Sequence, residues 1–96
     1  MKVSIEITLA PLEKEYETPI KDFIRVLRSS PFEIQENPLS TQIYGDYKPL
    51  MLFLTNAIAD SFNTIAAGMI HLKIVKSDRS DYQPFVWFFL WAVYRL

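Results

Sequence analysis

Three sets of residues in this sequence could do chemistry: a threonine among hydrophobes, one acid near one histidine, and an Asp-Arg pair late in the chain. Thr41 falls in the apolar phase of the alternating segment Ser40–Gly45, on the same side as Ile43. A buried hydroxyl needs a partner. Thr41 therefore either bonds a nearby backbone group or lines a small pocket at the end of the core, where it could donate to a ligand. Glu6 and His71 fall in the outward phase of two strands expected to be neighbours, so Glu6 can face Lys73 or His71. An acid beside a histidine can move a proton. As an ordinary cross-strand charge pair it is worth a few tenths to about 1 kcal/mol, and that is the reading adopted. Asp78 and Arg79 lie in a polar loop and are expected to form loop or intersubunit salt bridges, ahead of a phosphate role for Arg79.

Composition narrows the chemistry further. The chain has 96 residues, one domain's worth. Half of the residues are apolar, enough for a core, and the net charge of −1 lacks the basic excess of a nucleic-acid binder. Absence of cysteine excludes disulfides and thiolate metal sites, and a single histidine excludes a multi-histidine metal site within one chain. With two glycines there is no phosphate-cradling loop.

The elements that must position these residues follow from periodicity. Val3, Ile5, Ile7 and Leu9 alternate with Ser4, Glu6 and Thr8, which is a half-buried strand ending at Pro11. Thr18-Pro19 predicts a helix start, with Thr18 as N-cap. Ile20, Phe23, Ile24 and Leu27 form its apolar stripe, and Ser29-Ser30-Pro31 stops it. Phe32–Glu36 and Ser40–Gly45 read as a hairpin around Asn37-Pro38. Asp46 and Pro49 open a second helix that buries Leu50, Met51, Leu54, Ile58, Phe62 and Ile65, with Gly68 as its C-terminal cap. Met69–Lys76 is a fourth strand with Ile70, Leu72 and Ile74 inward. The order β-α-β-β-α-β predicts an α+β fold, a ferredoxin-like sandwich with a four-stranded antiparallel sheet and both helices on one face. The first and third strands are central there, which predicts Leu9 beside Thr41 and Ile7 beside Ile43.

Residues 1–82 are expected to form this domain and 83–96 a separate aromatic-rich tail. Phe85–Leu96, FVWFFLWAVYRL, is almost wholly apolar, yet shorter than the about 20 residues that span a bilayer. It should cover an apolar surface on its own domain or on a partner subunit; membrane association is the alternative. The N-terminus lacks the long apolar core of a signal peptide, so a cytoplasmic location is expected.

Three segments resemble a known family. Ile7-Thr8-Leu9-Ala10-Pro11-Leu12 is similar to the segment that ends the first strand in the thiamine/hydroxymethylpyrimidine-binding (YkoF-like) family. Asn37-Pro38-Leu39-Ser40-Thr41-Gln42-Ile43-Tyr44-Gly45 resembles that family's Ser-Thr…Gly segment, and Lys76-Ser77-Asp78-Arg79-Ser80-Asp81 looks like the charged stretch closing its single-domain members. The resemblance implies a ferredoxin-like domain that binds thiamine or its hydroxymethylpyrimidine moiety and catalyses nothing. It implies a pocket at Leu9 and Thr41, with Ser40 adjoining, and assembly as a homo-oligomer, a tetramer of packed sheets. Thiamine would be a ligand and not a catalytic cofactor: the G-D-G…N-N pattern that holds thiamine diphosphate and its metal is missing, and Gly45-Asp46 does not supply it.

The chemistry suits that reading. An aminopyrimidine offers ring-nitrogen acceptors and an amino donor. A threonine hydroxyl can donate to the first, and a carbonyl such as that of Leu9 can accept from the second. Leu12, Phe23, Leu39 and Leu54 are candidate apolar walls, and Glu13, Glu15, Glu36 and Asp46 candidate neighbours for the cationic thiazolium. The rival class is a structural or interaction oligomer without a small-molecule ligand. An acylphosphatase-type enzyme would need an arginine in a glycine-bearing loop after the first strand, where this chain has Pro11-Leu12-Glu13-Lys14-Glu15. An RNA-recognition domain would need several exposed aromatics on the central strands, and only Tyr44 qualifies.

Overall fold

The alternation at the N-terminus produces the strand it predicts. In the computed structural model, which describes residues 1–82, β1 runs Lys2–Pro11. Val3, Ile5, Ile7 and Leu9 are all buried on its helix-facing side. The other elements are α1 (Glu17–Arg28), β2 (Glu33–Glu36), β3 (Thr41–Asp46), α2 (Tyr47–Phe62) and β4 (Gly68–Val75). The sheet order is β2-β3-β1-β4, antiparallel throughout, so the ferredoxin-like βαββαβ arrangement is present with β1 and β3 central. Phe23 and Leu27 of α1 and Leu50, Leu54 and Ala57 of α2 close the core over β1 and Ile43. The expectation for the apolar tail falls on residues 83–96, outside the described residues.

Several local expectations are corrected. Helix α1 begins at Glu17, not after a Thr18 cap; Tyr16 stands at the N-cap in a helical conformation without a side-chain bond. Pro19 still lies in the first turn, where backbone N–H groups have no helical partner and its missing donor costs nothing. Asp46 takes the N-cap position of α2 but does not cap it: its carboxylate lies 3.7 Å from the Met1 amino group and 3.6 Å from Lys2 Nζ. The N–H of Tyr47 donates instead to the Met1 carbonyl at 2.8 Å. On α2, Ala57 and Ser61 fill the buried stripe and Phe62 is 42% exposed. Gly68 is not a helix cap. The helix ends at Phe62 with Asn63 as C-cap, and Gly68 opens β4. A Cβ on Gly68 would meet Ile65 Cδ1 at 2.6 Å and the Ala10 carbonyl at 3.2 Å, so close approach accounts for the glycine.

The central register also differs. Ile7 pairs with Thr41 and Ile5 with Ile43, two residues away from the expected Leu9–Thr41 neighbours. A shift of two preserves which face every side chain takes. It leaves Thr8–Pro11 running beyond the start of β3 while still paired with β4.

Two features of the surface also differ from the sequence expectation. Ser4, in the outward phase, is buried because the chain after β4 turns back over the outer face of the sheet. Ser4 Oγ donates to the Ser77 carbonyl at 2.7 Å and accepts from the Arg79 N–H at 2.8 Å, and Gln35 Nε2 reaches the Ser80 carbonyl. On β4, Leu72 and Ile74 face the helix layer yet stay 39% and 42% exposed. The helices lie over β1 and β3 and leave this edge strand uncovered.

Candidate functional site

Because β1 outruns β3, the end of the core is closed by a turn instead of a strand. Asn37 builds that turn. Its Oδ1 accepts from the N–H groups of Leu39 (2.8 Å) and Ser40 (3.0 Å), and its own N–H donates to the Ser40 carbonyl. Asparagine followed by proline is suited to such a side-chain-closed turn. Between this turn, the end of β1 and the first half of α1 lies a cavity of about 210 Å³. Ile7, Thr8 and Leu9 line it from β1, Ile20, Phe23 and Ile24 from α1, and Asn37 to Thr41 from the turn.

Leu9, Thr41 and Ser40, the three residues singled out in the sequence, all border this cavity. Thr41 is 6% exposed, and its hydroxyl holds no hydrogen bond to another of the described residues. Ser40 contributes to the wall, but its hydroxyl is spent on the other face, donating to Glu6 Oε2 at 3.0 Å and accepting from Gln42 Nε2 at 2.7 Å. Adjacent residues of a strand direct their main-chain groups to opposite edges. Within Thr8–Leu9, then, one residue turns its N–H and C=O toward the side where β3 has ended.

Of the four expected apolar walls, Phe23 and Leu39 are present. Leu54 is fully buried in the core, and Leu12 is exposed in the loop after β1; neither borders the cavity. Ile20 and Ile24 are walls that sequence reasoning assigned only to the core. Their i, i+4 spacing on the stripe of Phe23 was the available signal. Leu39, 86% exposed, stands at the rim.

The expected acidic mouth is mostly elsewhere. Asp46 is at the opposite end of β1, paired with Lys2. Glu36 lies beside Thr41 in the sheet, but both its oxygens accept from Arg28 at 3.0 Å, which raises the guanidinium pKa. Glu13 and Glu15 are exposed in the β1–α1 loop. Glu6 sits opposite Lys73, as expected, with its carboxylate bonded to Ser40. Asp78 and Arg79 make local bonds, not ion pairs, among the described residues. Asp78 accepts from the N–H and hydroxyl of Ser80, which hold its carboxyl below the usual range, and Arg79 Nε donates to Ser77 Oγ. No cluster of three metal-ligating side chains occurs among the described residues.

No family model and no curated protein matches the sequence. Solved structures do match in shape. A Streptococcus pneumoniae protein superposes with a TM-score of 0.77 at 22% identity, over 84% of this chain and 92% of that one. A Thermotoga maritima protein, provisionally described as a thiamine biosynthesis/salvage protein, has a TM-score of 0.73 at 14% identity, over 95% and 99%. A domain of unknown function from Bacillus cereus has a TM-score of 0.69 at 14% identity, over 88% and 84%. At these identities the likeness shows the fold.

Proposed function

We propose that this domain binds thiamine or its hydroxymethylpyrimidine moiety, without catalysis, in the cavity between the end of β1, α1 and the Asn37–Thr41 turn. The observation that carries the reading is Thr41, a largely buried residue in the cavity wall whose hydroxyl bonds no other described residue, set among apolar neighbours at the end of the core. A few placed polar groups in an apolar concavity are what orient a small ligand. At about 210 Å³ the cavity lies below the roughly 300–1,000 Å³ of drug-sized sites, which suits one flat ring with the rest of the molecule at the open mouth. Thr41 Oγ1 donates to a ring nitrogen, and a main-chain carbonyl of the Thr8–Leu9 stretch accepts from the amino group. Leu39 covers the exposed part of the ligand. The thiamine-related description of the Thermotoga maritima structure, together with the segments around Leu9 and Thr41, supports this ligand class. The protein carries or senses thiamine in the cytoplasm as a homo-oligomer, a tetramer by the resemblance, and takes no catalytic cofactor. No helix among the described residues is long and apolar enough to cross a membrane.

Calorimetric titration of the full chain with thiamine and with hydroxymethylpyrimidine, alongside thermal melts, tests the reading. A ligand that binds the folded state raises the melting temperature as its concentration passes the dissociation constant. No heat and no stabilisation at millimolar ligand would leave the alternative, a structural oligomer with an empty pocket.

A further inference from the structure

We propose that the cleft between α1 and α2 is a second binding site, which takes a small organic cation: an ammonium head carried on a compact apolar group. This cleft is separate from the cavity at the end of β1 and independent of the thiamine reading. It holds about 130 Å³ between the outward flanks of the two helices. A cavity of about 150 Å³ accommodates a benzene ring, so there is room here for a branched alkyl group. The last described residues, Ser77 to Tyr82, follow the outer face of the sheet, on the far side from the helix layer.

The two walls differ in kind. Pro19, Phe23 and Val26 of α1 make an apolar wall. The facing wall on α2 is Ala57 and Ser61, and Asp22 and Asp60 border the cleft from either helix. Ser61 is 9% exposed, and its enclosed Oγ has no hydrogen-bond partner among the described residues. A helical serine commonly donates to the carbonyl four residues back, here Ala57, and Ser61 does not. A buried polar atom without a partner is costly. One torsion carries this hydroxyl, and turning it toward the cleft breaks no bond among the described residues.

The electrostatics select the sign of the ligand. Asp60 lies in the last turn of α2, and that turn contains no basic residue. The free carbonyls at a helix C-terminus favour positive charge, so an acid there is at the unfavourable end. Asp60 forms no ion pair among the described residues, and Asp22 holds only its neighbour Arg25, at 2.7 Å. An ammonium has three N–H donors and no acceptor. Ser61 Oγ accepts from one of them and the Asp60 carboxylate from another, while the apolar group packs on Phe23 and Val26. The same cation offsets the negative end of α2.

Methyl NMR titration of the full chain with isobutylammonium chloride tests the site. The Val26 and Ala57 methyl signals should shift and saturate at millimolar amine, and isobutanol, of the same shape without the charge, should bind far more weakly. Ser61→Ala should weaken amine binding about tenfold, the worth of a hydrogen bond to a charged group. Without amine its melting temperature should not fall, since no bond is lost and alanine favours the helix. Asp60→Asn should weaken binding about threefold, as suits a charge at an open rim. Phe23 also lines the cavity at the end of β1, so the two cavities share a wall. Thr41→Val should nevertheless leave the amine affinity unchanged, whatever becomes of thiamine binding. Shifts that are absent or fail to saturate at tens of millimolar would overturn the proposal, as would equal binding of isobutanol. So would a Ser61→Ala protein that melts lower and keeps full affinity, or an affinity lost in Thr41→Val and kept in Asp60→Asn, which would put the amine in the other cavity.

Discussion

The two ends of the central β1–β3 pair are built from similar residues and finished in opposite ways. At the Lys2 end the core residues are packed and tied, and the cavity there, about 290 Å³, is a polar one lined by Lys2, Tyr44, Asp46 and Asp78 among others. The Phe32 ring lies over Gly45, whose Cβ, if present, would be 2.6 Å from Phe32 Cδ1, and the same ring packs on Phe53 with centroids 5.9 Å apart. The Met1 carbonyl holds the first turn of α2, and the Met1 amino group and Lys2 lie near Asp46. At the Leu9 end β3 has stopped, a turn replaces it, and the Thr41 hydroxyl, which bonds none of the other described residues, borders an apolar cavity. Close packing stabilises a core, and voids in it cost stability. A domain this small buries a limited core, so the apolar concavity at the Leu9 end forgoes packing of the kind that Phe32 and Phe53 make near the Lys2 end. The family-like glycine at position 45 belongs to the packed end and the family-like threonine at 41 to the hollow one, four residues apart on the same face of one strand.

Substitutions at each end can break this contrast. The largest effect on folding should come from Gly45→Val, which forces a branched side chain into the Phe32 ring. Overpacking of this kind costs about 1–3 kcal/mol, and each 1 kcal/mol lowers the melting temperature of a domain this size by roughly 4–8 °C. Thermal melts should show the loss, and it should shrink in a Phe32→Leu background, since contacting residues are not additive. An unchanged melt would mean that the ring is free to move.

Thr41→Val should behave differently. It keeps the shape and removes the hydroxyl, leaving a ligand acceptor unpaired. The expected loss is about 1–3 kcal/mol of binding, roughly tenfold to a hundredfold in affinity for thiamine or hydroxymethylpyrimidine. The melt of the free protein should change little. A lowered melt with unaltered affinity would show that Thr41 holds the backbone instead.

The smallest effect belongs to Asp46→Asn. Its ion pairs with Met1 and Lys2 involve side chains 47–60% exposed. Exposed pairs contribute about 0–1 kcal/mol, and asparagine is equally acceptable at a helix N-cap. Melts at low and high salt should differ from wild type by no more than a few degrees. A large loss would show that the chain terminus anchors α2 through charge and not through the Met1 carbonyl.

Much of the fold was legible in the sequence because the period of a pattern is a local property. Alternation at Val3, Ile5, Ile7 and Leu9 identified the central strand and its buried face, and Ile20, Phe23, Ile24 and Leu27 identified α1. Element order then led to the sheet order. The face of Thr41 followed from the same alternation, and a register error of two residues left it intact. The terminal residues of helices were less legible. Thr18 and Gly68 carry the usual signals for a helix start and stop, yet a main-chain bond from Ile20 N–H to Tyr16 and the close approach of Ala10 and Ile65 decided those positions.

What the sequence determined by itself was therefore which residues turn inward and in what order the elements come, because both depend on neighbours along the chain. Tertiary structure alone decided how far β1 runs past β3, and so whether the end of the core is filled or hollow. It also decided that Leu54 is core while Ile20 and Ile24 are walls, that Asp46 lies at the opposite end from the cavity, and that the inward face of β4 stays half open. Each of these depends on the offset between elements distant in sequence, and an offset of two residues leaves every local pattern unchanged.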